Sequence, residues 1–367
     1  MTPYFYEIAL SKILNIGPIL AKSLISYCGS AEAVFKEKKS KLQRIPNIGP
    51  ITIDQINLEK VVESTEKEID FCSKNNIQIL YFLESNYPSR LKHFPESPII
   101  LYYKGTADLN HYRTISIVGT RKITEYGKGI TQSLVKDLRV SNLIIISGLA
   151  HGVDSMAHKS CLLEEIPTIG VLGHGLDIIY PYENRNLADK MIHHGGLLTQ
   201  FGIETKPDKE NFPLRNRIVA ALSDAVVVVE TKKKGGSMIT AEFANDYNKD
   251  VFAFPGRTYD EFSEGCNELI RLNKASIIQS AQDLLEVMQW DTEKSKLLAE
   301  RRSELVFELE PDEHMVVEIL DRDTKMHIDL LHKKLKFTPG ALATILLNLE
   351  FRGVIKELPG KNYLLVS

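Results

Sequence analysis

A doubly wound α/β fold with a mostly parallel sheet is the class this sequence predicts for its central half, and two observations predict it. From Ile115 onward, short β-branched runs alternate with amphipathic helical stretches, the pattern of a parallel sheet covered on both faces. The runs are Ile115–Val118, Leu143–Ile146, Thr168–Leu172, Leu197–Thr199, Ala225–Val229 and Val251–Phe254. Five of the six end in a Gly or a small or polar residue, and open sheets of this kind bind ligands outside the carboxyl ends of their strands. Six strands with intervening helices make a Rossmann-like domain, placed at 111–290.

Each flank has its own pattern. Residues 1–62 are helical and carry two similar marks, Leu14-Asn15-Ile16-Gly17-Pro18 and Ile45-Pro46-Asn47-Ile48-Gly49-Pro50, each followed by a helix-like run. A hydrophobic-x-Gly turn between short helices resembles a SAM or helix-hairpin-helix domain, whose turn amides can meet a phosphate. The same marks also suit two plain helix-helix turns, with Gly giving positive φ and Pro opening the next helix; only Lys12 and Lys22 lie near the first. Residues 63–110 read as a connector packed on the core. It holds a charged helix from Val61 to about Asn75, the strand-like Ile77–Phe82, and a stretch punctuated by Pro88, Pro95 and Pro98 in which Tyr87, Leu91, Phe94, Leu101 and Tyr102 can still pack.

The polar segment 291–310 reads as a linker, helical from Asp291 to Arg302. Residues 311–367 give three short helices, then Val354–Leu358, a Pro359-Gly360 turn and Tyr363–Val366, which is the winged-helix (DML1-like) plan. Its third helix, Pro339 to Arg352, has no cation before Arg352, so it suits packing or partner contact better than reading a duplex.

A net charge of -3 argues against a chain coated in positive charge, so any nucleic-acid site has to be a local concentration of Lys and Arg. The cysteines at 28, 72, 161 and 266 stand far apart, with no CxxC pair and no zinc spacing; free thiols and no metal are expected. No apolar stretch approaches the roughly 20 residues that span a bilayer, and no signal-peptide pattern opens the chain. The expectation is a cytoplasmic protein with no membrane partner.

Four constellations could carry function. Val118-Gly119-Thr120-Arg121-Lys122 closes the first strand, with Thr124 placed to cap the next helix. Gly119 lets backbone approach a bound group, and Arg121 can hold a phosphate bidentately. The GxGxxG fingerprint is missing, since the next glycine is Gly127, so no nicotinamide cofactor is expected. The second, Ser147-Gly148-Leu149-Ala150-His151-Gly152-Val153-Asp154, leads into a helix with His158. Asp154 and His158 share a helix face, where a capping Asp beside a hydrogen-bonded His is preferred to a metal pair.

The third runs from Lys206 through Lys209, Phe212, Arg215, Asn216 and Arg217 to Ala220. Phe212 precedes Pro213 and is expected to be extended. An aromatic ring interleaved with cations offers a π-face for a base and charges for the flanking phosphates, which is what an unpaired strand requires. Alternatively Phe212 plugs the core while Arg215 and Arg217 pair with Asp224 or Glu230. In the fourth, Gly235, Gly236 and Ser237 form an anion nest at a helix start beside Lys232, Lys233 and Lys234, without the Gly-Lys-Ser/Thr order of a P-loop. A solvated lysine turn capped by Ser237 is the plainer alternative.

The order of these motifs resembles the DprA (Smf) family of DNA-processing proteins. The matching residues are Tyr87-Pro88, Leu101-Tyr102, Val118-Gly119-Thr120-Arg121, Ser147-Gly148-Leu149-Ala150 with Gly152, Asp154 and Ala157-His158, Leu172-Gly173 with Gly175 and Asp177, Tyr180-Pro181, Phe212–Arg217, Gly236-Ser237 and Phe254-Pro255-Gly256. The resemblance implies a protein that binds and protects incoming single-stranded DNA, forms homodimers through the Rossmann-like domain and loads RecA recombinase during natural transformation. Arg121, Lys209, Phe212, Arg215 and Arg217 match that family's DNA pocket or its neighbourhood. Two departures are His151, where many relatives have a basic or aromatic residue, and Gln200, where an acid is common.

The expected nucleic-acid-binding set is therefore Gly119, Thr120, Arg121, Ser147, Gly148, Lys209, Phe212, Arg215, Asn216, Arg217, Gly235, Gly236 and Ser237, with no catalytic residue and no cofactor. No GxSxG elbow, HExxH or acid-base pair stands at the strand ends, and His174 and His193-His194 are the only spare bases. One rival is a nucleotide-processing enzyme resembling the lysine-decarboxylase-like phosphoribohydrolases, for which Glu242 is kept but the third glycine of the Gly-Gly-x-Gly-Thr run is absent. Another is a winged-helix regulator that binds duplex DNA.

Overall fold

The six apolar runs all become parallel strands of one sheet, because β-branched residues buried on both faces have no solvent side to turn toward. The computed structural model describes residues 3–46, 48–290, 309–320, 326–351, 354–358 and 360–365. Its strands are β1 (Gln78–Tyr81), β2 (Ile100–Gly105), β3 (Thr114–Val118), β4 (Ile144–Ser147), β5 (Thr168–Leu172), β6 (Gly195–Thr199), β7 (Ala225–Val228), β8 (Asp250–Ala253) and β9 (Ser276–Ile277). They lie in the order β1-β2-β6-β5-β4-β3-β7-β8-β9. From β6 to β9 across the sheet all pairs are parallel.

The chain leaves β3 toward β4, β5 and β6, then returns to the other side of β3 for β7 and β8. Right-handed crossovers therefore put the helices of the two halves on opposite faces. Glu125–Leu138 packs with Val153–Leu163, and Asn211–Leu222 packs with Gly236–Asp246. The strand order reverses at the β3/β7 boundary, which opens a crevice beyond their carboxyl ends.

The proline-punctuated stretch before the first parallel strand adds two strands rather than the one its pattern predicts. β2 pairs antiparallel with β6, and β1 pairs antiparallel with β2. Alternation along them serves two cores: Leu80, Leu101 and Tyr103 face the main sheet core, while Tyr81, Ile100 and Tyr102 join the N-terminal helices. Those helices include Phe5–Ser11, Pro18–Cys28, Pro50–Gln55 and Val62–Lys74. Pro18 and Pro50 open their helices as expected, but Gly17 and Gly49 are N-caps with φ of -75° and -89°. The left-handed residue of the first turn is Asn15, at φ 62°.

Residues 1–287 and 288–367 form two units. In the second, the helix Pro311–Ile319 is followed by β10 (Met326–His327), the helices Ile328–Leu335 and Pro339–Phe351, and the hairpin of β11 (Ile355–Leu358) and β12 (Asn362–Leu365), the three strands lying in the order β10-β12-β11. This is the winged-helix plan. Leu342, Leu346 and Leu349 of its third helix are buried, as expected of a helix that packs. The linker stretch Asp291–Arg302, together with Arg352, Pro359 and Val366, lies outside the described residues.

Candidate nucleic-acid interface

The first strand's turn is set by backbone. The Thr120 amide donates to the Glu230 carbonyl at the end of β7 (2.7 Å), and the Val153 amide donates to the Thr120 carbonyl (3.1 Å). Gly152 adopts φ 80°, and a Cβ there would lie 2.1 Å from the Thr120 oxygen. The turn is thus clamped between two neighbours, and Arg121 projects from it, exposed. Thr124 caps the following helix as expected, accepting from the Gly127 amide. Its hydroxyl and amide also donate to the buried Glu230 carboxylate.

Phe212 is not extended. It lies in the first turn of the helix Asn211–Leu222, with Pro213 behind it. Proline is tolerated there because the amides of a helix's first turn have no intrahelical acceptor to lose. The helical conformation sends Phe212 and Arg215 to the same side at i, i+3. Arg121 and Arg215 converge on the ring, with guanidinium carbons 5.1 and 5.9 Å from its centroid. Cations at these distances are drawn to the aromatic face.

Arg215 is 5% exposed, and its Nη1 donates to the Val171 carbonyl (3.0 Å). Gly148 makes room for it: a Cβ on Gly148 would stand 1.6 Å from Arg215 Nη1 and 2.6 Å from Asp154 Oδ2. Asp154 is also buried and accepts from the Ala150 amide (3.3 Å). Burial raises the Asp154 carboxyl, with Arg215 pulling it back, and burial lowers the Arg215 guanidinium, with Asp154 pulling it up. For both groups desolvation outweighs the partner's charge, so this wall of the crevice is a strained position for ionised groups. Behind it His158 has Nδ1 2.7 Å from the Thr168 hydroxyl, and burial, then Arg215, pushes it down to about 3. Asp154 does not cap the helix, whose N-cap is Gly152 with no side-chain cap; Asp154 and His158 instead hydrogen-bond separately, to the Ala150 amide and the Thr168 hydroxyl. No metal-binding cluster occurs among the described residues.

These elements enclose a cleft of about 370 Å³ lined by Gly119, Thr120, Arg121, Gly148, Lys209, Phe212, Arg215, Asn216, Gly235, Gly236 and Ser237. Gly235 is the N-cap of Gly236–Asp246, with no side chain capping that helix. Asn216 donates to the Gly236 carbonyl (3.2 Å), tying the two helix starts together. Ser237 does not cap. It is buried, and its hydroxyl donates to the Thr231 hydroxyl (2.7 Å).

Two expected residues lie elsewhere. Ser147 is fully buried, its hydroxyl spent on the Ile117 carbonyl (2.6 Å). Arg217 points away, over Phe243 (5.0 Å), into a separate cleft with Glu96 and Tyr247. Neither arginine pairs with Asp224 or Glu230; Asp224 is held by Arg90 (2.8 Å). Gln200 also lines that separate cleft, and Glu242 is exposed and does not line the glycine-lined crevice. Lys232 pairs with Glu261, while Lys233 and Lys234 are exposed. Sequence reasoning missed Tyr180, whose ring stands 6.4 Å from Phe212; its only signal was the Tyr180-Pro181 dipeptide among the family motifs.

A parallel sheet whose switch point carries glycine turns, convergent arginines and an accessible aromatic ring, joined in one chain to a winged helix, defines a DNA-handling α/β protein. Residues 78–289 match the family described as DNA recombination-mediator protein A, and residues 301–361 match the DprA winged helix domain. The chain belongs to this DNA recombination-mediator family. It is 38% identical over 282 residues to the DNA processing protein DprA of Bacillus subtilis, covering 75% of this chain and 93% of that one. It is 36% identical over 284 residues to protein Smf of a Synechocystis strain, covering 76% and 71%. The X-ray structure of Streptococcus pneumoniae DprA superposes with a TM-score of 0.68 at 31% identity, over 78% of this chain and 98% of that one. A Helicobacter pylori DprA structure, described by its single-stranded DNA binding mode, superposes at 0.54 with 32% identity, over 60% and 98%. Among the described residues no helix is long and apolar enough to cross a membrane.

Proposed function

We propose that this chain acts as a recombination mediator by gripping single-stranded DNA in the crevice beyond β3, β4 and β7. The observation that carries the reading is the convergence of Arg121 and Arg215 on the Phe212 ring beside the glycine-lined turns. A base stacks on the ring, the exposed Arg121 meets a phosphate, and the uncapped start of Gly236–Asp246 offers amides to the next one. Of the expected set, Ser147 supports the strand end rather than the ligand, and Arg217 is left out. The finer parts of the reading are a homodimer formed through the Rossmann-like domain, protection of incoming DNA in the cytoplasm, and RecA as the recombinase it loads; what supports them is membership of the family.

Fluorescence anisotropy with a labelled oligothymidylate tests the core claim. Wild type binds more weakly as salt rises, and unlabelled single strand displaces the probe better than duplex of equal length. Equal binding by wild type, Arg121→Ala and Phe212→Ala overturns the crevice as the DNA site.

A further inference from the structure

The cleft that holds Arg217 is separate from the glycine-lined crevice, and neither charged side chain of its lining, Arg217 or Glu96, lines the other. Its floor is apolar: Ile16, Ala21, Leu91, Ile99 and Ile218 are all buried there. The two charges do not pair. Among the described residues no carboxylate lies within 4.0 Å of the Arg217 guanidinium, and its Nε is buried without a hydrogen bond. The guanidinium lies over the Phe243 ring at 5.0 Å. It keeps its proton, so beside apolar walls it is a charge that an anion stabilises. Glu96 accepts from the Tyr247 hydroxyl (2.8 Å), which uses one of the about four acceptor positions of a carboxylate. Burial opposes its ionisation, but Tyr247, its own backbone amide, Arg217 and Lys22 hold it below the usual carboxylate range. The Lys22 ammonium is itself turned to the Phe94 and Pro95 carbonyls (3.2 and 3.0 Å).

We propose that this cleft binds a free apolar α-amino acid, its carboxylate on Arg217, its ammonium on Glu96 and its side chain on the apolar floor. An amino acid carries both charges on one carbon, so a single ligand satisfies both groups without bringing them together. A plain anion leaves Glu96 facing a like charge, and a plain cation does the same to Arg217, contacts that are unfavourable in a desolvated site. The volume is about 260 Å³. At about 30 Å³ for each water of the liquid, it equals roughly nine waters, room for a molecule the size of leucine or phenylalanine. Apolar walls with a few placed polar groups are the usual make-up of a small-molecule site. The site is independent of the single-strand reading, since it shares no charged group with the crevice.

The test is calorimetric titration of the full chain with leucine and phenylalanine, and with two analogues of leucine that keep one charge each, 4-methylpentanoate and 3-methylbutylamine. Wild type is expected to bind at least one of the amino acids, and leucine about tenfold more tightly than either analogue, the loss of one charge-assisted contact. Arg217→Gln weakens leucine about tenfold and leaves 3-methylbutylamine unchanged. Glu96→Gln weakens leucine to the same degree and does not weaken 4-methylpentanoate. This crossed pattern separates recognition from folding, because a variant that merely distorts the cleft weakens all the ligands together. Saturating oligothymidylate leaves the leucine affinity unaltered. Absence of saturable binding of both amino acids by wild type overturns the proposal. So does equal binding of leucine and its two analogues, uniform weakening of every ligand in both variants, or displacement of leucine by oligothymidylate, which places it in the strand-end crevice.

Discussion

Two clefts flank the helix Asn211–Leu222, and both combine arginine with aromatic rings. In the crevice at the strand ends, Arg121 and Arg215 converge on one partly exposed ring, and the nearest carboxylate, Asp154, is buried behind them. Arg217 and Tyr247 line the other cleft with Ile16, Pro18 and Ile99, about 260 Å³ in volume; behind them Arg217 lies over Phe243, and the Phe94 ring is tilted against Tyr247 at 4.0 Å. There the Tyr247 hydroxyl donates to Glu96 (2.8 Å); burial opposes ionisation of Glu96, but Tyr247, Arg217 and Lys22 hold its carboxyl below the usual range. One cleft has an exposed cation beside a partly exposed ring, whereas in the other the Tyr247 hydroxyl and the Glu96 carboxylate are already paired, with Arg217 Nε buried beside them without a hydrogen bond. Identical residue types thus yield the proposed binding surface in one place and a largely self-paired cleft in the other.

The most severe way to break this contrast is Gly148→Ala. The added methyl cannot coexist with Arg215, and an ousted guanidinium leaves Asp154 buried without its cation, at a cost of about 3–5 kcal/mol. Urea unfolding should show a much lower midpoint, with DNA affinity lost as well; an unchanged midpoint means the Arg215 wall is not what shapes the crevice.

Acid sharpens the contrast next. His158 sits near 3 when folded and near 6.5 when unfolded, so below about 6.5 the unfolded chain takes up a proton the folded chain refuses. The stability this represents is present above pH 6.5 and falls as pH drops toward 3, by roughly 3 kcal/mol at pH 4. Asp154, raised by burial, works in the opposite direction, so the comparison to make is wild type against His158→Asn. The variant should show a shallower loss of melting temperature between pH 7 and 4.

Phe212→Ala should weaken single-strand binding by about 1–3 kcal/mol. Arg217→Ala should leave binding within about twofold and instead cost about 1 kcal/mol of stability. A calorimetric titration beside a thermal melt separates the two, and the reverse result would exchange the roles of the clefts. Smallest is the salt response: losing the one phosphate contact at Arg121 should lower the slope of log affinity against log salt by about 0.7.

Much of this was legible in order along the chain. The six parallel strands and the winged helix follow from periodicity, and the glycine turns and Phe212 marked a candidate site by residue type alone. The β2 strand was hidden because its run, Ile100–Tyr103, is buried on both faces against two different cores and so shows no alternation. Phe212 was misjudged because the proline rule describes helix interiors and not first turns. Arg215 and Arg217 looked equivalent since nothing local states which turn of the helix faces the crevice; two residues apart, they diverge by about 200°.

By itself, then, the sequence determined the fold class, the strand-end glycines and the inventory of cations and rings, because burial periodicity and backbone permissiveness are local properties. Only the tertiary structure decided which arginine meets the ring, that Ser147 is consumed by the Ile117 carbonyl, and that Tyr180 stands opposite Phe212. Those choices depend on the phase of one helix against the sheet and on loops distant in the chain, and neither is encoded in the spacing of any single segment.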